Sequence, residues 1–151
     1  MLGINARNLE IIQASNARRL YPRVDDKTIT KTICQQRGIR VPETYAVVNR
    51  YGDVRQLGAL IADREDFVIK PAGGAGGRGI MVIVGRDHTA FLTASGHRLS
   101  LEDLRYHVST VLSGLYSLGS QADAAIFEQR IICHPDLKAV SVGGTPDVRV
   151  I

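Results

Sequence analysis

The sequence predicts an α+β domain in which an antiparallel sheet carries packed helices. Two observations predict the sheet. Residues 44–49 (TYAVVN), 67–70 (FVIK), 80–84 (IMVIV) and 124–132 (AAIFEQRII) are short runs rich in β-branched and aromatic side chains, the composition of strands. Two of these runs flank the glycine-rich stretch KPAGGAGGRG, and strand–loop–strand is the context of a hairpin with an oversized glycine tip. A third observation supplies the helices. In residues 101–118 (LEDLRYHVSTVLSGLYSL), Leu101, Leu104, Val108, Val111, Leu112 and Leu115 recur at helical spacing.

The remaining elements follow in order. Residues 4–14 read as a short helix with Ile4, Leu9 and Ile12 on one stripe, and Pro22 breaks the pattern after it. Asp25 or Asp26 can cap a second helix, KTITKTICQQR. Its Ile29 and Ile33 share a face, and Gly38 supplies its stop. After the strand at 44–49, YGD turns the chain into a third helix, with Val54, Leu57, Leu60 and Ile61 on one side. TAFLTA reads as a further strand turned by SGHR. Ser100 caps the long helix with Asp103 as its capping-box partner, and Gly119 is the expected stop. LKAVSV and DVRVI read as a hairpin joined at a Gly-Gly turn. Because the chain stops inside that last run, the expectation is a fold incomplete at its C-terminus.

Composition narrows the function classes. With 151 residues, 44% hydrophobic and 23% charged, the chain suits one soluble domain or a large part of one. A net charge of +4 is compatible with an anionic ligand and equally with a solvated arginine-rich surface. Cys34 and Cys133 match no metal spacing, and the N-terminus is polar by Asn5, so the expectation is reduced thiols in a cytoplasmic protein. No stretch approaches a membrane span, so no membrane partner is expected. A nucleic-acid binder would want clustered basic residues with exposed aromatics, yet aromatics are 5% and no basic cluster exceeds ARR. His88, His97, His107 and His134 form no metal spacing, and His107, near the apolar stripe of the long helix, reads as a structural histidine.

The glycine loop carries the chemistry. A P-loop places its lysine after the glycines and a helix next; here Lys70 precedes them and a strand follows. A dinucleotide fingerprint also opens a helix, so it fails on the same context. In a strand, Val68 and Lys70 share the face opposite Phe67 and Ile69. A lysine beside an apolar face is costly unless it meets an anion. Gly73, Gly74, Gly76, Gly77 and Gly79 allow positive φ angles and let backbone N–H groups approach phosphate oxygens, with Lys70 as the point charge. The bland alternative is a flexible hairpin tip with Lys70 reaching the surface.

Four patches in order, VDDKTITKTICQQRGIRVPET, FVIKPAGGAGGRGIMVI, AIFEQRI and PDVRVI, resemble the ATP-grasp superfamily, and most closely its α-L-glutamate ligase-like branch. The resemblance covers residues 24–151 and implies an ATP-grasp-type fold. It divides the chain into a helical lead-in, 1–24, and a partial ATP-grasp domain, 25–151, whose lysine and glycine-loop subdomain runs to about residue 127 before the C-terminal sheet begins. It implies that Lys27 and Lys70 contact the nucleotide and that residues 73–79 close over the phosphates. Glu128 would stand near the adenine amino group, with the backbone of Gln129, Arg130 and Ile131 completing the adenine contacts. Asp147 would lie near the ribose hydroxyls and Arg149 in the active-site strand.

The activity implied is ATP-dependent ligation of a carboxylate to an amine through an acylphosphate, with small-molecule or peptide substrates. ATP and magnesium are the implied cofactors, the metal's ligands being expected beyond Ile151. On that reading the chain alone is an inactive fragment whose cut strand edges favour self-association. The alternative from another class is a non-catalytic nucleotide-binding or regulatory module.

Overall fold

The computed structural model describes residues 3–139. Six strands, β1 (Thr44–Val48), β2 (Phe67–Pro71), β3 (Met81–Asp87), β4 (Ala90–Thr93), β5 (Arg98–Leu99) and β6 (Ala125–Glu128), form one sheet in the order β1-β6-β2-β3-β4-β5. Every pairing is antiparallel, so the α+β class read from the sequence is the one observed. The last strand among the described residues, β6, lies between β1 and β2. That insertion sets Glu128 opposite Val68 and Ile126 opposite Lys70.

The strand alternation sorts side chains onto two faces. Phe67, Ile69, Ile83, Phe91 and Phe127 fill the core face, joined by Val48 and Ala125. Phe67 meets Phe91 edge-on at 5.9 Å between ring centroids and Phe127 at 6.0 Å. Against this face pack Leu104, Val108, Val111 and Leu112 of α5 (Leu101–Leu112), together with Val54, Leu57 and Ile61. Each such side chain contributes about 1.5–3 kcal/mol on burial, so this layer is what holds the sheet.

The helices form where their ends are satisfied. In α5, Ser100 and Asp103 make the reciprocal capping box the sequence announces. The helix stops at Leu112, well before Gly119. Gly114 adopts φ +82° there, and a Cβ on it would run into the Gln121 carbonyl. Leu115 therefore falls outside the helix and is 64% exposed rather than part of the stripe.

Among the described residues four α-helices precede α5, with a separate 3-10 turn at Arg18–Leu20. They are α1 (Ile4–Ala6), continued by a π-type turn Arg7–Gln13; α2 (Pro22–Asp25); α3 (Lys27–Gln36); and α4 (Leu57–Leu60), which follows a 3-10 stretch Tyr51–Gln56. In the first, Ile4 and Leu9 are exposed and only Ile12 is half-buried, because no sheet lies beneath it to receive the expected stripe. Leu60 likewise faces water, since the switch from 3-10 to α winding rotates it off the line of Val54, Leu57 and Ile61.

Asp26 caps α3, accepting from the Thr28 and Ile29 amides, and Gly38 at φ +71° ends it. The buried residue of α3 is Lys31, while Ile29 is exposed. Lys27, Lys31 and Cys34 line one side of the helix, while of the pair expected to share a face Ile33 is half-buried and Ile29 exposed. Smaller differences complete the comparison. β3 begins at Met81 and runs on to Asp87, Arg98 belongs to β5, and β6 ends at Glu128. Leu137 and Lys138, expected in a strand, lie in α6 (Pro135–Lys138), where Pro135 at the first turn favours helix. The rest of that expected hairpin lies outside the described residues.

Candidate functional site

The face of the sheet opposite the core holds two rows. Val47, Ile126 and Lys70 stand in one; Glu128, Val68 and Val82 stand in the other. This is an apolar platform with one cation and one carboxylate set into it. The Lys70 ammonium meets Glu128 Oε1 at 2.5 Å, and the Lys31 ammonium, arriving from α3, meets Glu128 Oε2 at 2.7 Å. The three side chains are 19%, 7% and 11% exposed for Lys70, Glu128 and Lys31, so the cluster is largely withdrawn from water. The sequence argument that Lys70 must meet an anion thus holds, and here that anion is Glu128. The Glu128 carboxylate is turned to the two lysines.

The same helix clasps the entrance of the glycine loop. The Lys27 ammonium donates to the carbonyls of Ala72 at 3.2 Å and Gly74 at 2.5 Å, and its backbone N–H donates to Ala72 as well. Burial pulls the Lys27 pKa below its ordinary value, and the nearby Lys70 charge adds to that; Asp123, Asp26 and Glu128 oppose it. Asp123 anchors the other side of the entrance. It accepts from the Gly73 amide at 2.9 Å, from the Ala124 amide at 2.7 Å and from the Ser117 hydroxyl.

The exit of the loop is held differently. His107 Nε2–H donates to the Gly79 carbonyl at 3.0 Å, which fixes the tautomer because a carbonyl can only accept. Burial lowers the His107 pKa, partly offset by that hydrogen bond. Its ring lies beside Tyr116 at 5.8 Å between centroids. Gly79 has φ +73°, and a Cβ there would sit 2.5 Å from the Tyr116 ring, so this position admits only glycine without rearrangement. Between the two anchors, Gly76 and Gly77 have positive φ with open space around them, and Arg78 is exposed. Gly73 and Gly74 do not share that conformation. The Gly73 amide is spent on Asp123 and Gly74 bridges to Ser117, so the free space lies at the tip, around Gly76 and Gly77, rather than along the whole of residues 73–79.

Lys27, Lys70, Glu128 and the glycine loop are therefore brought together. The Gln129 amide is occupied by the Glu43 carbonyl at 2.8 Å, and the Arg130 guanidinium pairs with Asp66. The Ile131 side chain is exposed. Asp147 and Arg149 lie outside the described residues. Two members of the cluster escaped the sequence reading. Lys31 was detectable, since it stands one helical turn from Lys27 and must share its face. Asp123 had no local signal; its role comes from the meeting of β6's lead-in with the loop. A cleft of about 840 Å³ touches the loop entrance at Gly73 and Asp123 and is walled by Asn8, Tyr21 and Asp26.

An antiparallel sheet that presents a lysine and a glycine-rich hairpin, backed by helices, is consistent with part of an ATP-grasp domain. The chain belongs to the sugar-transfer associated ATP-grasp family, whose model matches residues 6–151. The description of that family differs from the α-L-glutamate ligase-like branch to which the motifs pointed. No curated protein and no solved structure matches the chain. ATP-grasp domains generally bind ATP with Mg2+ and are generally ligases.

Among the described residues, no helix is long and apolar enough to cross a membrane, and no group of three or more His, Cys, Asp or Glu is arranged to hold a metal ion. Asp123 has both oxygens engaged, by the Gly73 and Ala124 amides and the Ser117 hydroxyl, and Asp26 Oδ1 is engaged by the Thr28 amide and hydroxyl. The described residues therefore do not fit a magnesium site. Cys34 and Cys133 are free thiols.

Proposed function

We propose that this chain is the ATP-holding part of a ligase that activates a carboxylate as an acylphosphate and passes it to an amine or another nucleophile. The observation that carries the reading is the placement of Lys70: on the face opposite the core, beside Val47, Ile126 and Val68, at the end of the strand that leads into a loop with open space around its tip glycines Gly76 and Gly77. The partly exposed apolar residues of that face, Val47, Val68 and Val82, suit the face of a purine. Lys70 and Lys27 suit phosphate oxygens, and the tip of the loop, hinged between Asp123 and His107, suits closure over them. Asp147 and Arg149 are proposed near the ribose and in the reacting strand, as the resemblance implies. The backbone at 129–131 is proposed as the adenine edge.

The chemistry would follow that of the α-L-glutamate ligases the motifs resemble, and the family's association with sugar transfer supports a saccharide-bearing substrate. In this reading the chain's own residues bind, orient and shield the triphosphate. Isothermal titration with ATP against Lys70→Ala tests it. Loss of a hydrogen bond to a charged group weakens binding by roughly 10- to 150-fold. Full affinity in the variant would remove the basis for the assignment.

One observation favours a non-catalytic nucleotide-binding module instead: both lysines of the loop entrance already have internal partners. A nucleotide that binds tightly without turnover in the presence of magnesium would support that second reading.

A further inference from the structure

Glu128 is a buried carboxylate with one ammonium on each oxygen, Lys70 on Oε1 and Lys31 on Oε2. The two cations differ in what they can do. Lys70 stands on β2 at the mouth of the glycine loop and faces the open side of the sheet. Lys31 comes from the middle of α3, a helix whose start is fixed by the Asp26 cap and whose first residue is tied to Ala72 and Gly74. Lys31 is the more buried of the two, and among the described residues its ammonium has Glu128 as its partner.

For Lys70 to reach a phosphate it must release Glu128. A buried carboxylate stripped of its only cation is strongly unfavourable, and that penalty would be charged against nucleotide binding. With Lys31 still on the other oxygen, Glu128 stays compensated and Lys70 can move.

We propose that Lys31 is a positioning residue: it holds Glu128 neutralised so that Lys70 can exchange Glu128 for a nucleotide phosphate, and so sets nucleotide affinity without touching the nucleotide. The proposal rests on the nucleotide reading of Lys70. No bond forms or breaks; the step is an exchange of one ion pair for another.

The test is a double-mutant cycle on the 151-residue chain, with the magnesium complex of the non-hydrolysable analogue AMPPNP as probe and calorimetry as readout. Lys31→Met should weaken binding roughly tenfold in the parent, since its loss locks Lys70 onto Glu128. In a Glu128→Gln background, where Lys70 has no anion to leave, the same substitution should change affinity less than about twofold. Lys31→Arg should restore most of the parent's affinity.

A loss of equal size in both backgrounds would overturn the proposal, because it would mean that Lys31 contacts the nucleotide directly or merely supports the fold. No loss in either background would overturn it as well. Should Lys31→Met fail to fold, Lys31→Gln carries the same cycle and the same outcomes. If the parent itself does not bind AMPPNP, the nucleotide reading falls and takes this proposal with it. If the parent binds and the cycle is flat, only the role of Lys31 falls.

Discussion

On one face of β2 and β6, Phe67, Ile69 and Phe127 lie fully buried against Leu104 and Val108; on the other, Val68, Lys70 and Glu128 are reached by a helix that offers lysines in place of leucines. Both faces share one register, so they differ in partner and not in backbone. The first face is closed by non-directional burial, which tolerates exchange among apolar residues of similar size. The second is closed by three charges whose geometry is specific and whose members can trade partners. The stable half of the sheet is thus kept apart from the half that can respond to an anion.

The largest effect should come from unbalancing that comparison at adjacent residues. Phe67→Ala removes the ring that meets both Phe91 and Phe127 and should cost about 3–5 kcal/mol in urea unfolding. Val68→Ala, one residue along and on the half-buried face, should cost about 1 kcal/mol. Equal losses would mean that the two faces are not distinct, and a larger loss at Val68 is what a one-residue slip in register would produce.

A smaller effect sharpens the difference between the loop's anchors and its tip. Gly79→Ala forces a Cβ into the Tyr116 ring at a left-handed position and should destabilise the chain by about 2 kcal/mol or displace the loop exit. Gly76→Ala, also left-handed but in open space, should cost about 1 kcal/mol. If the tip variant were the more damaging, the anchors would be wrongly placed. Thermal melts of the two variants decide it.

The smallest effect is a pH dependence. His107 is held below the ordinary imidazole value of 6.5 by burial, so the unfolded chain takes up this proton first as pH falls. Stability from this group is complete above 6.5 and declines as pH drops below it toward the folded value. His107→Gln should flatten the slope of melting temperature between pH 7 and pH 5. An unchanged slope would show that His107 is not buried neutral.

How far the sequence could be read depended on the range of the signal. Alternation in FVIK fixed which side chains share a face, and Ser100 with Asp103 announced the start of α5, because both patterns lie within a few residues. The glycine loop and its preceding lysine were legible for the same reason. The deepest residue of α3 is Lys31 rather than Ile29 or Ile33, since hydrophobicity is a poor guide where a helix packs through charges. The end of α5 was misread because Gly114 is excluded from carrying a Cβ by the carbonyl of Gln121, a neighbour only in the folded chain.

Chain-local chemistry therefore settled the class of fold, the starts of α3 and α5 and the lysine–glycine hairpin, since each depends on steric and hydrogen-bonding rules within a turn or a strand. The partner of Lys70, the burial of Lys31 97 residues from Glu128, and the clasp of Asp123 on Gly73 depended on β6 entering beside β2. No local periodicity encodes which distant strand closes that gap; burial of the whole core face selects it, and the ion pairs form where that selection leaves them.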